Sequence, residues 1–420
     1  MRAQHFPRLL VLLGVAAVAA ATLVGCGSGG SSGSKNIIIA TLLPTSGVDA
    51  SVGLPTQYGA DLAISQNKDL GNGYTLSVLH ENYEGANGPD QTIGAADAHA
   101  LVSNPNVMAV VGPFNSGIAE VTIPITNSAG LVMISPSNTN PGLTKQQYAA
   151  ANGINFSLLH PAGKPDYYFR TCGTDDVQGK VDADVALGAP INAKSAFVID
   201  DESVYGKGLA TQFTAEFTAK GGRIVGTGEI SASQINVAPQ LATTIAGKNP
   251  DVVFYGGITS QGGGIIKKDL VQQGYKKPMV GGDGIAGDAN WLTTAGSAAT
   301  NTYGTVAAPD TSTLTSGPAA AFKSAYNSQE ASKPDGTLYA YSAPAYDDAM
   351  IEITAIKNLI KAGKAVTRSA IRDQVASINY QGLTGDIYFD ANGDNAGAKV
   401  FSVYYVNNQD KWVFATQVNG

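Results

Sequence analysis

The 420-residue sequence carries little charge, and its charge is weighted to the acidic side. There are 26 Lys and Arg against 33 Asp and Glu, so 14% of residues are charged and the formal net charge is −7. Globular proteins average about 25% charged residues. A nucleic-acid-binding domain needs a basic surface, which this composition excludes. Hydrophobic residues make up 44%, which excludes a disordered chain and supplies a packed core. The length predicts two or three domains.

Cysteine and histidine are also scarce. Two cysteines, Cys26 and Cys172, cannot form a disulfide framework or a four-thiolate zinc site. The four histidines lack metal-ligand spacing, and the sequence contains neither a nucleophile elbow nor a phosphate-binding G-K-[ST] loop. We therefore expect no metal, no cofactor and no enzymatic activity. We interpret Cys172 as a small buried side chain.

The first 25 residues have the pattern of an export signal. Arg2 and Arg8 are followed by an almost wholly apolar run from 9 to 24. A membrane-spanning helix needs about 20 apolar residues, so this run is short for one and typical of a signal peptide. We therefore predict that residues 1–25 are removed and that the body lies outside the cytoplasm.

The end of the apolar run predicts a lipid anchor. Leu23-Val24-Gly25-Cys26 resembles a bacterial lipobox, in which the cysteine carries the lipid. Residues 27–34 are all Gly and Ser, so we predict a flexible tether over 26–35. The prediction is a lipoprotein held on the cell membrane through Cys26. The alternative is ordinary secretory cleavage followed by a loose terminus.

The rest of the chain alternates short apolar strands with amphipathic helices. This order starts again after Phe169, which predicts an α/β fold with two doubly wound parallel-sheet lobes. The predicted strands are 37–43, 75–79, 107–111, 131–134, 196–199, 223–230, 252–255 and 279–280. The predicted helices are 54–66, 90–102, 118–128, 177–187, 205–220, 238–246 and 262–273.

Two segments break the alternation. Residues 145–164 are polar and irregular, and we predict a surface insertion near the boundary between the lobes. The tail gives a long helix over about 345–361 and then short strands at 401–406 and 412–418 around a turn, which predicts a final antiparallel ribbon.

Loops that follow strands rank as binding sites, because ligands of open α/β sheets bind at the carboxyl ends of the strands. Ser116 begins a helix, where it would either face an anion or cap the helix. Ser137 lies in a loop rich in hydroxyls and amides that is either a site or a turn. Tyr205 would present a hydroxyl or simply pack. Asp283 lies between glycines, where it would bind a cation or close a turn.

Taken in order, several segments resemble the Leu/Ile/Val-type periplasmic binding proteins, the solute receptors of branched-chain amino-acid ABC transporters. The resemblance covers about 36–420. The segments that carry it are 42–47 (LLPTSG), 110–116 (VVGPFNS), 130–144 (GLVMISPSNTNPGLT), 169–171 (FRT), 176–179 (DVQG), 205–208 (YGKG), 281–284 (GGDG) and 385–390 (GDIYFD).

The resemblance implies a role for each matching residue. Ser116 falls where the family uses a hydroxyl for the ligand α-carboxylate, and Ser137 where the backbone contacts the ligand. Thr139 matches a hydroxyl that touches the amino-acid head group, and Tyr205 an aromatic of the second lobe. Asp283 matches the acid that accepts the α-ammonium. The family usually has Glu there, so this side chain is one methylene shorter.

Two departures concern the wall of the implied pocket. Val52 and Ile258 stand where amino-acid receptors often have an aromatic residue. Both changes leave the side-chain specificity of the pocket open.

The resemblance also implies an organisation and partners. It predicts lobes joined by three crossovers, the N-terminal lobe at 36–174 plus 310–400 and the C-terminal lobe at 175–309 plus 401–420. The lobes would close by hinge motion on a small molecule, an amino acid or similar ligand. The expected partner is an ABC transporter permease, and the expected state is a monomer. Alternatives are the same fold binding an aromatic acid, amide or urea-like molecule, or a ligand sensor for a signalling receptor.

Overall fold

The computed structural model describes residues 35–315 and 317–420. The predicted signal peptide, the lipidation site Cys26 and nearly all of the predicted tether lie outside the described residues. Across the described ranges, no helix has the length and apolar character needed to cross a membrane.

The described chain folds into alternating strands and helices. The strands are β1 (Lys35–Leu42), β2 (Asp69–Gly71), β3 (Tyr74–Glu81), β4 (Glu84–Gly85), β5 (Gly88–Pro89), β6 (Val107–Val111), β7 (Val132–Ser135), β8 (Tyr168–Arg170), β9 (Ser195–Asp200), β10 (Arg223–Glu229), β11 (Val252–Gly256), β12 (Met279–Gly281), β13 (Thr302–Val306), β14 (Tyr380–Gly382), β15 (Gly385–Ile387), β16 (Val400–Val406) and β17 (Trp412–Asn419).

Helices connect most of these strands. They are α1 (Ala50–Ser65), α2 (Gln91–Ser103), α3 (Ser116–Ala129), α4 (Gln146–Ala149), α5 (Phe156–Leu159), α6 (Asp175–Leu187), α7 (Val204–Ala219), α8 (Ala238–Lys248), α9 (Gly263–Gln272), α10 (Ala289–Ala295), α11 (Gly317–Gln329), α12 (Ser342–Lys361) and α13 (Arg368–Ala376).

Two large sheets organise the molecule. The first has the strand order β2-β3-β1-β6-β7-β8, and the second has the order β10-β9-β11-β12-β13-β16-β17. Pairing is parallel within each sheet except at β2, β16 and β17, which pair antiparallel with their neighbours. This topology confirms the predicted α/β class, with the expected ribbon formed by β16 and β17.

Each sheet is covered by helices on both faces, as the apolar strands require. In the first sheet, Ile39 packs with α1 and α12, whereas Ala40 packs on the opposite face with α2 and α3. In the second sheet, Phe197 faces α8 and α9, and Val198 faces α6 and α7. Consecutive strand residues therefore enter different layers, which is the period of two expected of a strand.

The segment over 145–164 is more ordered than an irregular insertion. It contains α4 and α5, and Ala149, Ile154 and Leu159 are buried in the same apolar cluster as α3. These three apolar residues are spaced five apart in a polar segment, which is why the sequence pattern showed neither helix.

Candidate functional site

The loops at the carboxyl ends of the strands enclose a small inner cavity. Phe114, Asn115, Ser116 and Ser137 follow strands of the first sheet; the opposite wall follows strands of the second sheet and consists of Tyr205, Ile258, Asp283 and Gly284. The inner cavity measures about 20 Å³. It shares Asn115, Ser116, Tyr205 and Ile258 with an outer cleft of about 750 Å³. The structure thus brings four predicted site residues (Ser116, Ser137, Tyr205 and Asp283) together with the predicted wall residue Ile258.

Ser116 is the first residue of α3 and does not cap it. The N-cap is Asn115, and its side chain makes no capping hydrogen bond. Ser116 is 2% exposed, and its Oγ accepts a 3.4 Å hydrogen bond from the backbone N–H of Asn140. The start of a helix carries partial positive charge and free N–H groups, so this end of the cavity suits an anion.

Asp283 forms the opposite pole of the cavity. Its Oδ1 accepts hydrogen bonds from Gln178 Nε2 and the Tyr205 hydroxyl, both at 2.9 Å. Its Oδ2 accepts a 2.9 Å hydrogen bond from the Tyr341 hydroxyl. Burial raises the pKa of Asp283, and these three hydrogen bonds act against that rise. A carboxylate has about four acceptor positions, so three neutral donors leave room for one more.

The glycines beside Asp283 let the backbone approach Tyr205. A Cβ at Gly282 would lie 2.6 Å from the Tyr205 hydroxyl, and one at Gly284 would lie 2.3 Å from the Gly257 carbonyl oxygen. The Tyr205 hydroxyl also accepts a 3.0 Å hydrogen bond from the Gly284 N–H. Side chains at these positions would therefore push Tyr205 away from Asp283.

Ser137 and Thr139 lie in the loop after β7. Ser137 Oγ donates a 3.0 Å hydrogen bond to the Phe114 carbonyl, which ties this loop to the one that carries Ser116. Thr139 is fully buried, and its side chain interacts with the carboxyl of Asp175. Its carbonyl accepts a 2.8 Å hydrogen bond from the Asp175 N–H. Thr139 therefore lies beneath the loop surface that lines the cavity.

Val52 and Ile258 have different surroundings. Ile258 lines the cavity, and its N–H donates a 2.9 Å hydrogen bond to Asp201 Oδ2. Val52 lies in α1, where it packs in the apolar cluster with Tyr83 and Phe114. It is absent from the lining of both the inner cavity and the outer cleft in the described structure.

A buried ion pair supports the loop that carries Thr139. Arg170 Nε and Asp394 Oδ1 are 2.7 Å apart, and both side chains are buried. Arg170 Nη1 donates 2.7 Å hydrogen bonds to the carbonyls of Asn138 and Asn140. Burial would raise the pKa of Asp394, but Arg170, Lys145 and the Thr144 hydroxyl together outweigh burial and hold that pKa below its usual range. The loop is therefore fixed by a side chain rather than by strand pairing.

Sequence reasoning missed two functional contacts. Gln178 belongs to the DVQG segment that supports the family resemblance, so a signal was available, but the motif did not show that its amide reaches Asp283. Tyr341 lies 58 residues beyond Asp283 in a segment between α11 and α12. No spacing rule brings that segment to the carboxyl end of β12.

Two further observations concern metal binding and thiol reactivity in the described residues. Across 35–315 and 317–420, no group of three or more His, Cys, Asp or Glu side chains is arranged to hold a metal ion. Cys172 is buried, and burial raises the pKa of its thiol well above the usual value, which disfavours a reactive thiolate. Two α/β sheets with a polar cavity between their carboxyl ends define a two-lobed binding protein for a small ligand.

Comparison with known proteins agrees with this class. A sequence model of the periplasmic binding protein family matches residues 36–411. The chain belongs to the periplasmic binding protein family. It is therefore a solute-binding protein rather than an enzyme, and membership places it outside the cytoplasm.

Individual relatives match over most of their length. The Leu/Ile/Val-binding protein BraC3 of Rhizobium johnstonii is 29% identical over 363 residues, which cover 84% of this chain and 89% of that protein. Leu/Ile/Val-binding protein homolog 1 of Brucella suis is 28% identical over 380 residues, 87% of this chain and 89% of that protein.

Solved structures show the same architecture. The branched-chain amino acid transporter substrate-binding protein LivJ of Streptococcus pneumoniae, in complex with isoleucine, has a TM-score of 0.75 at 27% identity, covering 92% of this chain and 100% of that chain. A solute-binding protein of R. palustris in complex with benzoate has a TM-score of 0.70 at 19% identity, covering 91% of this chain and 96% of that chain, and shows the fold alone.

Proposed function

We propose that this protein is a lipid-anchored receptor of an ABC importer that captures an amino acid, branched-chain or related, between its lobes. The observation that carries the proposal is the pair of opposite poles across one cavity: the start of α3 at Ser116 and the carboxylate of Asp283. An amino acid is a zwitterion, so its carboxylate suits N–H and O–H donors and its ammonium suits a carboxylate. The names of the relatives support this ligand class.

The site residues take roles that follow from their contacts. Ser116 Oγ and the first N–H groups of α3 receive the ligand carboxylate, with the loop of Ser137 and Thr139 beside them. Asp283 receives the ammonium at its remaining acceptor position, and Tyr205 keeps the carboxylate of Asp283 oriented. Ile258 forms the wall that meets the ligand side chain.

Loading the ligand requires the lobes to separate. The inner cavity of about 20 Å³ has room for about one water molecule. A branched-chain amino acid is several times larger, so it enters when the outer cleft widens, and hinge closure then encloses it. The lobe boundaries follow from the same proposal: 36–174 plus 310–400 surround the first sheet, and 175–309 plus 401–420 surround the second.

Calorimetry with L-leucine, L-isoleucine, L-valine and the other amino acids tests the ligand class. We expect binding by at least one aliphatic amino acid. A folded protein that binds no member of the panel would contradict the amino-acid proposal. Mass spectrometry of the ligand that co-purifies with the protein provides an independent identification.

The lipid anchor is a separate part of the proposal and rests on the residues around Cys26. We expect the mature protein to begin at Cys26 and to partition with membranes after metabolic labelling with palmitate. Cys26→Ala should abolish the label and release the protein. Labelling that persists in Cys26→Ala would show that another residue carries the lipid.

One observation favours a second ligand class. Asp283 already accepts hydrogen bonds from three neutral donors, an arrangement that satisfies the carboxyl without an ammonium. An aromatic acid, amide or urea-like ligand would use Ser116 without pairing to Asp283. Binding of such a ligand that survives Asp283→Asn would support this alternative.

A further inference from the structure

The loops at the rim of the cleft contact each other across the two lobes, outside the inner cavity. We call these rims the lips of the cleft: Asp49 and Ser51 belong to one lip, and Ser260 and Asp288 belong to the other. Asp49 follows β1 of the first sheet, and its Oδ2 accepts a 3.1 Å hydrogen bond from Ser260 Oγ, which follows β11 of the second sheet. Ser51 Oγ, in α1, donates a 2.7 Å hydrogen bond to Asp288 Oδ1, which follows β12. Each lip therefore presents a serine hydroxyl to a carboxyl of the other lip.

These carboxyls are shielded from water in the closed arrangement. Asp49 is 5% exposed and Asp288 is 3% exposed. Glu84 stands behind Asp49, since the Asp49 N–H donates a 3.3 Å hydrogen bond to Glu84 Oε1. Glu84 Oε2 is buried and has no hydrogen-bond partner in the described part of the chain. Closure therefore gathers three carboxyls from both lips in one shielded place.

The charges that face this group are acidic. Glu84, Asp288 and Asp201 act on Asp49, and Asp335 acts on Asp288. Burial, followed by these charges, raises the pKa of Asp49 well above its ordinary value. Burial raises the pKa of Glu84 from 4.5 to about 7. Three buried tyrosines also lie near enough to Asp49 for its charge to act on them: Tyr83, Tyr255 and Tyr339. Burial raises the pKa of each of these hydroxyls well above its ordinary value, so the three tyrosines stay neutral.

We propose that Asp49, Glu84 and Asp288 form a proton-dependent latch, which lets the lobes close most readily when these carboxyls are protonated. The proposal rests on the hinge closure of the proposed function, and it adds a control of that closure by pH. When the lips separate, the carboxyls return to water and ionise at their ordinary pH. Closure then requires proton uptake, or it brings like charges together at low dielectric.

The direction and size of the effect follow from linkage. A group that binds its proton more tightly in the closed form lowers the closed-to-open ratio by up to tenfold per pH unit as pH rises. For Asp49 and Asp288, whose carboxyls contact the opposite lobe, this decline begins at the ordinary pKa of an aspartate and extends above it. The latch thus favours closure in mildly acidic surroundings and opening at neutral pH and above.

Small-angle X-ray scattering of the protein without added ligand tests the latch from pH 4.5 to 8.5 at constant ionic strength. We expect the radius of gyration to increase with pH. Glu84→Gln removes the titrating group and should keep the protein more compact at pH 8. Asp49→Asn should act in the same direction and covers the case in which Glu84→Gln folds poorly. The matched control is Glu229→Gln, an exposed position that should follow the wild type.

Two results of the scattering experiment would overturn the latch. A radius of gyration that stays flat or falls as pH rises overturns the latch, and so does wild-type behaviour in both folded variants. No amino acid is added in this experiment, so its result does not depend on which members of the calorimetric panel bind. Even if the protein binds no amino acid, the dependence of its radius of gyration on pH still tests whether the lobes close when the carboxyls are protonated.

Discussion

Two buried aspartates of the cleft, Asp283 at the floor of the inner cavity and Asp49 at the lip, differ in the groups that surround them. The comparison shows how hydrogen-bond donors and neighbouring charges set the behaviour of a buried carboxyl. Asp283, at the floor, accepts hydrogen bonds from three neutral donors that hold its carboxylate in one orientation. Asp49, at the lip, accepts one from a serine and faces other acids. Burial raises the pKa of both residues. The Asp283 carboxyl is therefore held in one orientation by its donors, whereas the charges around Asp49 favour its protonated form.

The largest expected effect comes from removing the buried charge that supports the loop carrying Thr139. Arg170→Met removes the closest cation from the buried Asp394 and leaves Lys145 Nζ at 3.7 Å, and removing one partner of a buried ion pair costs about 3–5 kcal/mol. Urea unfolding should show that loss in the free energy of unfolding. Arg223→Met, at an exposed position, should change it by less than about 0.5 kcal/mol. Equal losses in the two variants would contradict the role given to Arg170.

Asp283→Asn is the next largest change and tests the floor as an ammonium acceptor. Truncating one partner of a buried charge pair should weaken amino-acid binding by about 2–5 kcal/mol. Calorimetry measures this against Asp373→Asn, a surface carboxylate that is 72% exposed and should leave the affinity unchanged. Unchanged affinity in Asp283→Asn would show that the ligand presents no ammonium there.

Tyr341→Phe removes one of the three donors from Asp283 and should have a smaller effect. A hydrogen bond to a charged group contributes about 1.5–3 kcal/mol, so we expect a loss of that order in the free energy of unfolding. Tyr388 provides the matched control, since Tyr388→Phe removes a hydroxyl from an exposed side chain. If both variants are as stable as the wild type, the carboxyl of Asp283 does not depend on Tyr341.

The final prediction concerns the pH dependence of stability. Burial raises the pKa of Glu84 to about 7 and those of Asp201 and Asp347 to about 6, so the folded state binds more protons than the unfolded chain. Stability should then fall as pH rises from 5 to 8. Calorimetric melting should show a lower unfolding temperature at pH 8, with a smaller drop in Glu84→Gln. A temperature that rises over this range would contradict the predicted direction.

Most of the fold was accessible from the sequence because its strands are apolar and β-branched. Runs such as Val107–Val111 stand out between polar segments, and each is a strand at nearly the predicted position. The strand at Thr302–Val306 was missed, since Thr302, Gly304 and Thr305 dilute its apolar character. The polar helix Arg368–Ala376 was also missed, because only Ile371 and Val375 are buried in it.

The site was accessible only in part, for a geometric reason. Four of the predicted site residues each follow a strand: Ser116, Ser137, Tyr205 and Asp283. The rule that ligands of open α/β sheets bind at the carboxyl ends of the strands therefore predicts them. Tyr341 reaches Asp283 through the path of the chain between α11 and α12, which no local pattern encodes. The opposing acids of the lips belong to loops of different sheets, and only the closed arrangement brings them together.

The pairing of Arg170 with Asp394 has a consequence for biosynthesis. The two residues are 224 positions apart, and the acid lies close to the carboxyl terminus. A ribosome that stalls before Asp394, or a protease that trims the tail, leaves a guanidinium without its counter-charge directly under the binding loop. We therefore expect the loop that carries Thr139 to take its final position only after the segment that carries Asp394 has been synthesised and has folded.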